Sequence, residues 1–174
     1  MLHRIKYCRM GSMHERWISS YPQLLFFALV ILCRVTNVSY AYAFLGYIGN
    51  SVVNGGLKQV FRHMIGDAGN RPVPHLPSTV FDAAVVAIWP EYKNNNAYGF
   101  PSGHAQSVGY FVAFVHQFLP WRTWHPVWIA AALAVASGLM WTRVAFRRHT
   151  AVQVLFGFAF GVITFRAFHR VWTA

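Results

Sequence analysis

In this sequence the basic residues stand at the ends of apolar runs, and no other feature restricts the fold as much. Arg4, Lys6, Arg9 and Arg16 precede the first run, and Lys58, Arg62 and Arg71 follow the second. Arg122 separates two later runs, Arg143, Arg147 and Arg148 separate the last two, and Arg166 and Arg170 close the chain. A bilayer demands this placement, because a charge at mid-membrane costs about 2.5–3.5 kcal/mol on insertion scales. A nucleic-acid binder would instead carry its cations as a stripe along a helix or in a flexible tail. Nucleic acid is therefore not an expected partner.

Composition sharpens the same reading. The 174 residues are 56% hydrophobic and only 11% charged, and the 15 Lys and Arg outnumber four acids, Glu15, Asp67, Asp82 and Glu91, to give +11. Four acids cannot cover a water-facing surface with balanced charge, and the apolar content excludes a disordered chain. The length allows one domain or one compact bundle of membrane helices. Cys8 and Cys33 are too few for a disulfide framework and lack zinc spacing. The start resembles a targeting segment, with a basic stretch, then Leu24 to Cys33, then Ala41-Tyr42-Ala43. The long basic region and Arg34 just after the core favour a retained signal-anchor over a cleaved signal.

Residues 1–20 read as a basic extra-membrane tail, and residues 21–174 as one membrane domain. Tyr21 to Cys33 and Ser39 to Leu57 are apolar runs, and the span from 21 to 57 is too long for one crossing and thin for two. Gly66 to Pro77 and Glu91 to Gly99 are loops by composition, and Val80 to Trp89 suits an interfacial or re-entrant helix. Helices are expected over Ser102–Leu119, Pro126–Arg143 and His149–Arg170, with Gly157 and Gly161 allowing close packing in lipid. The expected class is all-α, a multi-pass bundle of about four to six membrane helices. Successive crossings by these three helices put His104, Arg143 and His149 on one membrane face. Two of the three would occupy first helical turns, where free N–H groups attract anions. With Lys58 and Arg71 bordering a loop on that side, the topology gathers an anion site.

Three segments carry a resemblance: Lys58 to Pro72 (KQVFRHMIGDAGNRP), Pro101 to His104 (PSGH) and Thr142 to Gln153 (TRVAFRRHTAVQ). Together they resemble the signature of the type-2 phosphatidic-acid phosphatase superfamily, K-x6-R-P, P-S-G-H and S-R-x5-H-x3-D. Within it the chain is most similar to the dolichyldiphosphatases, through YGFPSGH at 98–104 and HTAVQVLFG at 149–157. The resemblance implies the helical fold shared with vanadate-binding peroxidases, and the apolar runs favour the lipid branch. It implies that His149 attacks phosphorus to form a phosphohistidine while His104 protonates the leaving group and then activates water. Arg143 completes the catalytic set. Lys58, Arg71, Ser102 and Gly103 would hold the phosphate, with no metal and no cofactor.

Two departures stand out. Gln153 replaces the usual aspartate four residues after the nucleophile; at i+4 it can accept the imidazole N–H and orient His149. Lys58 lies 13 residues before Arg71 instead of seven, so either Gly66–Asn70 loops out or Arg62 takes the lysine's place. The implied activity is hydrolysis of a polyprenyl or dolichyl diphosphate to the monophosphate. Phosphatidic acid or another lipid phosphate is the alternative substrate, and a degenerate site that only binds anionic lipid is the non-enzymatic alternative. The dolichyl likeness places the site at the lumenal face of the endoplasmic reticulum, with an odd number of crossings before Lys58.

Overall fold

The computed structural model describes residues 21–72, 98–119 and 126–174. The basic tail, the 80–89 segment, most of the 91–99 loop and Arg122 lie outside the described residues. Among those described, the regular elements are helical: α1 Tyr21–Thr36, α2 Tyr40–Ile65, a 3-10 turn Gly66–Gly69, α3 Gly103–Phe118, α4 Pro126–Ala145 and α5 Ala151–Thr173.

The two N-terminal apolar runs form two helices, separated at Asn37, whose φ of 56° lies in the left-handed region that asparagine tolerates. Phe26 of α1 meets both Phe44 and Tyr47 of α2, with ring centroids 6.1 and 5.4 Å apart. These contacts are well removed from the turn on both sides, so α1 and α2 run antiparallel. The pair thus returns the chain toward its starting end. The second run also continues as helix beyond Leu57, carrying Lys58 and Arg62 on α2 before Gly66, with φ 52°, ends it.

α3 is the centre of the bundle, and its seam with α5 is backbone against backbone. A Cβ on Gly157 would lie 2.3 Å from the Ser102 carbonyl oxygen, one on Gly161 2.0 Å from that of Gln106, and one on Gly109 2.1 Å from that of Phe158. The glycine pair expected to pack closely does so, joined by a third glycine from the facing helix. Away from the motif residues, Tyr42, Tyr110, Phe114 and Phe165 form a buried aromatic core with Leu29, Cys33, Ala43 and Ala113. α4 attaches through Ala136 on Val108, flanked by Leu139, Met140 and Phe158.

The outer surface is apolar. On α1, Leu24, Phe27, Ile31 and Val35 are all exposed and share one helical face. Exposed Leu133, Val135 and Trp141 on α4, and Val152, Leu155 and Ile163 on α5, extend this greasy exterior. Among the described residues, the helix 151–173 is long and apolar enough to cross a membrane; 24–36 and 133–145 are shorter apolar stretches.

Candidate active site

The site is assembled from chain segments that meet at the motif-bearing end of the helices. α4 ends in a tight reversal in which Arg147 adopts φ 54° and the Arg143 carbonyl accepts the N–H groups of both Arg148 and His149, at 3.0 Å each. This turn gives the five-residue spacing its physical meaning: it folds His149 back over the end of the helix that carries Arg143. Both side chains are buried, 2% exposed for Arg143 and 1% for His149.

His149 does not sit in the first turn of a helix, as its spacing suggested. Thr150 takes the capping position, its hydroxyl accepting the Gln153 N–H at 3.3 Å while Gln153 Oε1 accepts the Thr150 N–H at 3.1 Å. That reciprocal box starts the helix at Ala151 and leaves His149 just ahead of it. His104, by contrast, does occupy the first turn of α3, with its Nε2 withdrawn from solvent.

Two contacts define the His149 ring. Its Nδ1 lies 3.0 Å from the carbonyl oxygen of Gly99, which can only accept, so Nδ1 carries the proton. Nε2 is buried and has no hydrogen-bond partner among the described residues. Burial first, then the charges of Arg71, Arg143 and Lys58, push the ring's pKa well below its ordinary value; a contact with Gln153 works the other way. The imidazole is therefore neutral, with the Nε2 lone pair available.

The same electrostatics link the cations to the ring. Lys58, just beyond the apolar run of 39–57, is pushed down to about 7 by burial and then by Arg71. Arg62 instead lies over the Tyr98 ring, its guanidinium carbon 5.7 Å from the centroid. Of the two candidates for the lysine role, Lys58 is the one whose charge acts on His149 and is itself influenced by Arg71. The extra length of the first motif is taken up by the last turns of α2 and the Gly66–Gly69 turn.

Ser102 has a structural post at the start of α3, and its N–H is already engaged. Its N–H is donated to the Gln153 carbonyl at 3.0 Å, its carbonyl accepts from Gln106 at 2.9 Å, and its hydroxyl accepts the Ala105 N–H at 3.4 Å. Capping α3 and tying it to α5 thus removes the Ser102 N–H from any phosphate cradle. The N–H groups of Gly103 and His104 remain in the first turn of α3.

The PAP2 superfamily model matches residues 35–174. The chain belongs to the PAP2 superfamily. No curated protein and no solved structure gives a significant match. Membership implies phosphatase activity on phosphate esters, and with the apolar 151–173 helix it implies association with a membrane.

Three features of this PAP2 site escape the motif reading. The Gly99 carbonyl is a backbone group and leaves no trace in sequence. Tyr98 pairs with Asn70 in an isolated bridge that fixes the loop below Arg71. The third was findable: Asn50 and Asn54 stand four residues apart in an apolar run and so share a helix face. They meet Gln106, whose Nε2 donates to the Asn50 carbonyl at 2.9 Å and to Asn50 Oδ1 at 3.0 Å, and whose Oε1 accepts from Asn54 Nδ2 at 2.7 Å. All three residues are buried, with Asn54 against Gly103 at the start of α3.

Proposed function

We propose that this PAP2 protein is a multi-pass membrane phosphatase that hydrolyses a polyprenyl or dolichyl diphosphate to the monophosphate. The observation that carries the reading is His149: a buried neutral imidazole, anchored at Nδ1, with Nε2 unpaired among the described residues and the charges of Arg71, Arg143 and Lys58 acting on it. Such an arrangement suits attack on a phosphoryl group whose oxygens need positive charge throughout.

In this mechanism His149 Nε2 forms a bond to the terminal phosphorus as the phosphoanhydride P–O bond breaks. His104 gives its proton to the departing oxygen of the lipid monophosphate. The same histidine, now neutral, takes a proton from water, whose oxygen attacks phosphorus and releases phosphate from His149. Lys58, Arg71 and Arg143 neutralise the oxygens, Arg143 and Arg71 with forks suited to bidentate contact. The Gly103 and His104 N–H groups add the pull of a helix N-terminus. The diphosphate preference rests on the likeness of residues 98–104 and 149–157 to the dolichyldiphosphatases. The lipid tail would lie along the exposed apolar helices, and the protein would reside in the endoplasmic reticulum membrane of a eukaryotic cell.

Phosphate release from a polyprenyl diphosphate, phosphatidic acid and a soluble phosphate ester, compared in one detergent, tests the substrate. The expected result is preference for the diphosphate, abolished by His149→Ala. Preference for phosphatidic acid would move the assignment to lipid monophosphates. Absence of release from every lipid, with intact anion binding, would leave a headgroup-binding protein, the reading that Gln153 in place of a carboxylate favours.

A further inference from the structure

The longer first motif and the glutamine at 153 look unrelated in sequence, but they meet in space. The added residues end in the Gly66–Gly69 turn, and the next carbonyls of the chain converge on one amide. Gln153 Nε2 donates to the Gly69 oxygen at 3.1 Å and to the Asn70 oxygen at 3.0 Å, while its Oε1 accepts from Thr150. Both hydrogens of the amide are thus committed to the loop, while its oxygen serves its own helix and Gln153 also bears on the His149 ring.

This clamp touches both halves of the site. Gly69 oxygen also accepts the Gly99 N–H at 2.8 Å, and Gly99 oxygen faces His149 Nδ1. A Cβ on Gly99 would fall 2.7 Å from Arg71 Cγ and 2.7 Å from Gln153 Oε1, so the stem of Arg71 and the amide press on the same glycine. A glutamate at 153 would set a negative oxygen against two carbonyl oxygens, and the shorter aspartate would offer them no donor. The aspartate of the superfamily pattern therefore could not tie this loop down.

We propose that Gln153 is a positioning residue for Arg71, holding the enlarged loop so that the guanidinium reaches the phosphate site beside His149. The inference rests on the reading of Arg71 as a phosphate ligand. Restoring the family's aspartate would impair the site instead of improving it.

The test is binding of inorganic phosphate to the full chain in detergent, followed by calorimetry, in a double-mutant cycle. Gln153→Glu keeps the shape and replaces NH2 by O−. It should weaken phosphate binding about tenfold in the wild-type background and less than about twofold in Arg71→Ala, because the two act through one group. Equal losses in both backgrounds would overturn the proposal, since a merely structural role adds independently of Arg71. Where Gln153→Glu fails to fold, the isosteric pair Gln153→Asn and Gln153→Asp decides: the asparagine variant should bind phosphate more tightly, and equal affinity overturns the idea. Wild-type protein that binds no phosphate would remove the site reading itself, an outcome distinct from a flat response to the variants.

Discussion

Lys58 and His149 are both pushed toward their neutral forms, but with opposite consequences for a phosphatase. A neutral His149 is the nucleophilic form, and the downward shift means that more acid than usual is needed to protonate it. The acid limb of the rate profile should therefore fall below the ordinary histidine range. Lys58 is charged only below about 7, so its pull on phosphate weakens as pH rises through that value. The expected outcome is a KM that climbs above neutral pH in the wild type and stays flat in Lys58→Arg, whose guanidinium keeps its charge. Steady-state kinetics between pH 5.5 and 9 on the order of half-unit steps checks both limbs. Gly99→Ala should lower kcat/KM by about a hundredfold, because the added methyl must displace Arg71 or Gln153 at the reacting centre. Motif spacing was enough to single out His149, His104, Arg143, Lys58 and Arg71 as candidates. It could not single out the Gly99 carbonyl, since any residue supplies a carbonyl and only the fold decides which one faces the ring.

The elements that hold the site are defined by their ends. Thr150 and Gln153 form a capping box, and Thr150→Ala should destabilise the protein by about 0.5–2 kcal/mol in chemical or thermal unfolding followed by fluorescence. Gly157→Ala should be costlier, since its methyl would meet the Ser102 backbone, where no side chain can swing aside. A lower thermal midpoint together with lost activity is expected; unchanged stability would mean that the α3–α5 seam gives way easily. The three C-terminal helices were readable because length, proline at 126 and glycine spacing agreed with one another. Their starts were less so: the sequence offers His149 and Thr150 side by side, and only the reciprocal hydrogen bonds with Gln153 show that threonine takes the cap. The long polar second half of α2 was also obscure, because its face toward the site carries Asn50, Asn54 and Lys58 in place of an apolar stripe.

For the whole molecule, the antiparallel pairing of α1 and α2 has a topological outcome. If both cross, the N-terminal tail lies on the site's side, so protease added to sealed vesicles should cut the tail only where it can also reach the site. Cleavage from the opposite side would mean that α1 does not cross. The charge pattern alone could not choose, because basic residues border both ends of the helices. The glycine-lined seam has a mechanical corollary. α3 and α5, which carry or adjoin both histidines, touch through backbone at three levels, and among the described residues α4 meets α3 through Ala136 on Val108. The histidine-bearing pair is thus a stiff chassis. Sliding of one helix along the other would drive glycine backbone into carbonyl groups, so the register of this pair should persist while a lipid phosphate enters and leaves.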